Sequence, residues 1–179
     1  MRMRIISGTL KGRVIEAPKG HKTHPMSEKI RGAVFNALGD LSGLSVLDAF
    51  AGSAALSIEA TSHGADHVIA IEIDKKAHAV AMQNIADCGV SEYIKCIRAN
   101  VSSWSDNNSN ATFDVVILDP PYDKFNNTLI NKLINKHVVG NGMIVLSKPP
   151  KIPFELPSDC KLVQSKNYGD AELLFMRKV

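Results

Sequence analysis

Only three cysteines, Cys88, Cys96 and Cys160, occur among 179 residues, and no two form a C-x-x-C pair. An odd, scattered set supports neither a disulfide framework nor a zinc site built on thiolates, so these side chains are expected as small buried apolar groups, and no metal is expected. Long apolar runs are also missing. Val115 to Leu118 is typical of the longest, far below the roughly 20 residues that cross a bilayer, so no membrane partner is expected. Arg2 and Arg4 are followed by Gly8, Thr9 and Lys11 instead of an apolar segment, which argues against a secretory signal and for the cytoplasm. Glycine (12) and proline (8) stay near average usage, excluding collagen-like and disordered classes.

What is present is 45% hydrophobic and 22% charged residues, the composition of one folded domain spanning residues 1–179, with a monomer as the default state. Net charge is only +3, but it is unevenly spread. Residues 1–31 carry eight basic side chains against Glu16 and Glu28, a local +6, which leaves −3 on the rest. A basic arm on a mildly acidic body fits contact with phosphate backbones or, equally, a solvated face.

Arg4 to Ser7 and Arg13 to Glu16 are β-prone runs around a glycine-bearing turn and predict a hairpin. The proline-containing stretch Ala17 to Pro25 predicts a loop, so residues 1–26 form a basic extension and 27–179 the core. Ser27 stands as N-cap before Ile30, Val34, Phe35 and Leu38, whose spacing traces one helical face. From Ser45 strands and helices alternate, the pattern of a parallel α/β sheet. Expected strands are Ser45 to Phe50, His67 to Ile73, Tyr93 to Ala99, Phe113 to Leu118 and Gly142 to Ser147. Expected helices are Ala54 to Ser62, Lys75 to Cys88 and Thr128 to Lys136. Ser102 to Thr112 is polar and predicts a loop, while Lys161 to Lys166 and Glu172 to Arg177 predict a terminal antiparallel hairpin.

Ligands of open parallel sheets lie beyond the carboxyl ends of the strands. The first core strand ends in Asp48, Ala49, Phe50, Ala51, Gly52, Ser53 and Ala54; this small-residue turn either admits a cofactor or simply packs a strand against a helix. Glu72 closes the second strand, where a carboxylate can accept both ribose hydroxyl hydrogens, and Asp74 is placed to cap the next helix. No P-loop lysine follows the turn, which disfavours a nucleoside triphosphate.

The fourth strand runs into Asp119, Pro120, Pro121 and Tyr122. This tetrapeptide suits an exocyclic nucleobase amine, a poor nucleophile whose lone pair is delocalised into the ring. Asp119 and the Pro120 carbonyl can accept the amine hydrogens, and the Tyr122 ring offers a face for a flipped-out base, worth roughly 1–3 kcal/mol.

These residues resemble the class I S-adenosylmethionine-dependent amino-methyltransferases. With Arg4 to Gly8, Lys11 to Arg13, Pro25 to Arg31 and Phe35-Asn36, the whole chain is similar to the RsmD family, which methylates the N2 amine of a guanine in small-subunit (16S) ribosomal RNA. The resemblance implies a Rossmann-like, mostly parallel sheet with a C-terminal antiparallel hairpin. It implies S-adenosylmethionine against Asp48, Phe50, Ala51, Gly52, Ser53, Ala54, Glu72, Ile73, Asn100 and Asp119. Asp119, Pro120, Pro121 and Tyr122 would be catalytic, and Arg4, Lys11, Arg13, Lys22, His24 and Arg31 would face ribosomal RNA, within a small-subunit particle. Ala54 stands where the family usually has glycine; its methyl is accommodated if φ is negative. His24, Met26 and Gly32 also depart from the common residues. Two further readings are a DNA adenine-N6 or protein amide methyltransferase, and a non-catalytic ribosome-assembly factor.

Overall fold

A computed structural model describes residues 1–19 and 25–179. The predicted N-terminal hairpin forms, but its paired strands are β1 (Arg2–Arg4) and β2 (Val14–Glu16), antiparallel with Met3 opposite Ile15. The connection is longer than expected because it docks on the core. Gly8 has φ +79°, and a Cβ there would run into the Ser62 carbonyl oxygen, so only glycine fits. Thr9 N–H donates to that carbonyl (2.9 Å) and Leu10 N–H to the Ser62 hydroxyl (2.9 Å). Met3, Ile5, Ile15 and Ala17 are buried beneath the hairpin.

Helix α1 (Glu28–Leu38) starts at Ser27, whose hydroxyl accepts from Ile30 N–H as the sequence indicates, and ends at Gly39 with φ +74°. Then follow β3 (Ser45–Asp48), α2 (Ala55–Ser62), β4 (His67–Glu72), α3 (Lys75–Asp87), β5 (Ile94–Arg98), α4 (Val101–Asn107), β6 (Phe113–Leu118), α5 (Asn127–His137), β7 (Val138–Lys148), β8 (Cys160–Asn167) and β9 (Glu172–Lys178). The seven core strands form one sheet in the order β5-β4-β3-β6-β7-β9-β8, parallel from β5 to β7 and antiparallel at β9 and β8.

Successive strand residues face opposite sides, and the core divides accordingly. Val46, Val68, Val115, Val145 and Phe175 pack under α1, α2 and α3, whereas Leu47, Ile69, Val116, Ile144 and Met176 pack under α4 and α5. Helix α2 is buried along nearly its whole length, including Ser57 and Glu59.

Two expectations are corrected. The stretch from Ser102 to Thr112 is not all loop: α4 occupies Val101–Asn107, capped by Asn100 and anchored by buried Val101 and Trp104. Strand β7 begins at Val138 instead of Gly142, because α5 runs straight into it; Val138 pairs with Phe113, Asn141 turns at φ +62°, and pairing resumes at Met143 with Val115.

Candidate active site

Strand order reverses between β3 and β6, and a crevice opens at such a point beyond the carboxyl ends. Asp48 is the last residue of β3 and pairs with Ile117, so Asp119 follows two residues later on the neighbouring strand and continues the face that carries Val46 and Ile117. The sheet therefore brings the two carboxyl groups together under α1, α2 and α3.

Asp48 is fully buried, and its Oδ2 accepts from the Ser57 hydroxyl at 2.7 Å. Its Oδ1 has no hydrogen-bond partner among the described residues. Burial pushes this carboxyl up to about 7; the Ser57 hydrogen bond and the Phe50 N–H oppose that, while Asp119 and Glu72 add to it.

The turn after Asp48 is held by main-chain bonds: Ala51 N–H to Ile71 O (2.9 Å) and Ala54 N–H to Ala51 O (2.7 Å). Glu72 bridges this turn to the next one. Its Oε2 accepts from Gly52 N–H (2.8 Å) and its Oε1 from Asp74 N–H (2.7 Å), which leaves each oxygen capacity for another donor. Asp74 caps α3 as expected, accepting from Ala77 N–H at 2.8 Å. Ile73, beside Glu72, is 64% exposed, and Phe50 packs toward the α4–α5 side. Ala54 does not have the negative φ that would accommodate its methyl; it lies in the left-handed region at φ +63° and ψ 22°, completely buried. Asn100 is exposed and uses its carboxamide oxygen on Ser102 and Ser103 N–H, which leaves its NH₂ group to donate to a ligand.

Asp119 is half-buried, and burial raises its carboxyl to about 6 against the opposing Ser147 hydroxyl. Pro121 leads into a 3₁₀ turn at Tyr122–Lys124. The Tyr122 hydroxyl lies 2.8 Å from Ser147 Oγ, which fixes the ring beside Asp119. Sequence reasoning misses Ser147, although a polar residue closing an otherwise apolar strand is an available signal. It also misses Asn84, a buried residue of α3 that donates to Ser53 O at 2.9 Å and thus supports the turn.

The predicted RNA contacts divide. Arg4, Lys11 and Arg13 are exposed on the hairpin and its loop. Lys22 and His24 lie outside the described residues. Arg31 is corrected: it is 1% exposed, donates to Met26 O (2.9 Å) and Arg4 O (2.7 Å), and lies 3.6 Å from buried Glu59, so no RNA can reach it. Cys88 and Cys160 are buried, and Cys96 is pushed up to about 12 by burial and by Asp48 and Glu72, the opposite of a nucleophilic thiol. Among the described residues no cluster of His, Cys, Asp and Glu could hold a metal ion, and no helix is long and apolar enough to cross a membrane.

The sequence signature of the family described as Conserved hypothetical protein 95 matches residues 3–177. The chain belongs to this family, the RsmD family. It is 32% identical to Ribosomal RNA small subunit methyltransferase D of Buchnera aphidicola over 168 residues, 90% of this chain and 86% of that one. A Haemophilus influenzae protein of the same name is 28% identical over 173 residues, 93% and 89% of the two chains. A solved Escherichia coli structure superposes with a TM-score of 0.87 at 24% identity, covering 99% and 98% of the chains, and so shares the fold. This RsmD-family chain is an S-adenosylmethionine-dependent methyltransferase.

The residues at the sheet edge fit that cofactor. None of the described residues comes within 4 Å of where a side chain at Gly52 would begin, so they leave space open over the turn. Among the described residues nothing partners the buried Asp48 Oδ1 next to that turn, as suits a cationic ligand, and Glu72 retains acceptor capacity for hydroxyl groups.

Proposed function

We propose that this enzyme methylates the exocyclic N2 amine of a guanine in small-subunit ribosomal RNA, presented within a small-subunit particle in the cytoplasm. In this reading the chain acts as a monomer and a single catalytic unit, with residues 1–26 as its RNA-facing extension. The observation that carries the reading is the half-buried Asp119 carboxylate beside a tyrosine ring fixed by Ser147, one strand away from Asp48. The names of the Buchnera and Haemophilus relatives support the RNA class of the substrate.

When bound, S-adenosylmethionine supplies a sulfonium methyl group as the electrophile. Asp48, the turn from Phe50 to Ala54, Glu72, Ile73 and the NH₂ group of Asn100 would hold it, with Glu72 on the ribose hydroxyls. The Tyr122 ring stacks the flipped-out guanine. Asp119, ionised above about 6, and the Pro120 carbonyl accept the two N2 hydrogens and draw the nitrogen lone pair out of conjugation. Asp119 would receive the proton that becomes surplus on N2 once the methyl group is transferred, and would pass it to water. No covalent enzyme intermediate is needed, and positioning supplies most of the rate.

Arg4, Lys11 and Arg13 lie on the exposed hairpin, where they neutralise phosphates. Competition among unmethylated small subunits, stripped ribosomal RNA, duplex DNA and protein for labelled methyl tests the substrate class. Subunits should take the label first. Preferential labelling of DNA would transfer the assignment to an adenine amine, and no label on any acceptor by folded protein would favour a non-catalytic assembly factor.

A further inference from the structure

Asn84 is 2% exposed in the last turn of α3, and its carboxamide bonds to two segments distant in sequence. Its Oδ1 accepts from Glu16 N–H at 2.9 Å, and its Nδ2 donates to Glu16 O and to Ser53 O, each at 2.9 Å. The side chain thus takes both main-chain groups of a β2 residue, as a neighbouring strand would, and grips the cofactor turn with the same NH₂ group.

The gripped point matters mechanically. The peptide unit joining Ser53 to Ala54 is held at its carbonyl by Asn84 and at its N–H by Ala51 O. Ala54 sits at φ +63°, where an L side chain is disfavoured, so an external hold on that peptide keeps the turn in the shape that leaves Gly52 open. On the hairpin side, Glu16 is tied to Arg2 by an ion pair at 3.2 Å and β2 is paired with β1, the strand bearing Arg4.

We infer that Asn84 is a positioning residue that couples the basic hairpin to the cofactor turn, so that RNA on the hairpin and cofactor in the turn each strengthen binding of the other. The inference rests on the reading that RNA engages the hairpin. Ordering β2 orders the Asn84 carboxamide, and with it the Ser53 carbonyl; by linkage the effect is the same in both directions.

Calorimetry with S-adenosylhomocysteine on the whole chain, with and without saturating unmethylated small-subunit ribosomal RNA, tests it. The wild-type protein should bind S-adenosylhomocysteine about fivefold or more tightly with RNA present. Asn84→Asp keeps the shape and the acceptor for Glu16 N–H but loses both donated bonds; Asn84→Ser is the smaller companion variant. Either variant that folds should bring the affinity ratio close to one. A wild-type ratio of one overturns the coupling whatever the variants do. A variant that weakens both ligands yet keeps the wild-type ratio also overturns it, because Asn84 would then serve stability only. If the wild-type protein binds RNA and transfers label but shows no coupling, this inference alone fails, whereas absence of RNA binding removes the RNA reading as well.

Discussion

The hydroxyl oxygens of Tyr122 and Ser147 lie 2.8 Å apart, linking the turn after β6 to the end of β7 directly beside Asp119. Ser147→Ala removes the tether on the ring and the hydroxyl that favours ionised Asp119. One hydrogen bond of this kind contributes about 1 kcal/mol, so single-turnover methyl transfer should slow about fivefold with little change in S-adenosylhomocysteine affinity. Wild-type rates from this variant would remove Ser147 from the site.

The buried carboxyl groups set a pH dependence. Asp119 can take up the N2 proton only when ionised, so transfer should rise with pH through about 6 and level off above it. The acid limb should move upward in Ser147→Ala, since the Ser147 hydroxyl holds that value down. Rate–pH profiles from pH 5 to 9 check both; a profile flat down to pH 5 would contradict the role of Asp119.

Stability should follow the opposite sign. Asp48 is raised from 3.8 to about 7, so its contribution is fully present below the unfolded value and is lost as pH rises through about 7. At pH 8 the unliganded protein carries this charge at a cost. Asp48→Asn should therefore raise Tm at pH 8 by roughly 3 °C, or about 1 kcal/mol, with a smaller gain at pH 5. Equal gains at both pH values would contradict the account.

Much of this architecture is legible in the sequence because strand and helix periods differ. Val115 to Leu118 leading into Asp119, and Ser27 preceding Ile30, Val34 and Phe35, are local signals that local physics obeys. Helix α4 is masked by serine and asparagine, residues that favour turns by bonding to nearby backbone; its buried stripe is Val101, Trp104 and Ser105, with one of the three itself a serine. Counting charge places Arg31 on the RNA-facing surface because it ignores burial, yet this residue stands three and four positions before Val34 and Phe35, on the buried face of α1. Asn84 and Ser147 act across 31 and 25 residues, and no local pattern encodes such pairing.

Arg31 and the hairpin's basic residues should therefore separate experimentally. Arg31→Ala leaves Glu59 buried without its cation and should destabilise by about 3 kcal/mol, while the salt slope of RNA binding stays unchanged. Replacing Arg4, Lys11 and Arg13 by Ala should instead flatten that slope, by about 0.7–0.9 for each phosphate no longer neutralised. An unchanged slope in the triple variant would take the hairpin off the RNA.

Ala54→Gly relieves a left-handed, fully buried residue and should stabilise the turn by about 0.5–1 kcal/mol, which thermal melting reads as a gain of roughly 2 °C. A lower Tm would show that the Ala54 methyl contributes more by packing than its backbone strain costs.

The most direct test of the central claim is nucleoside analysis of small-subunit particles labelled by the wild-type protein and by Asp119→Ala. The account predicts label in N2-methylguanosine alone, and its near-complete loss in the variant while S-adenosylhomocysteine still binds. Label in N6-methyladenosine, or undiminished N2-methylguanosine from Asp119→Ala, would contradict it.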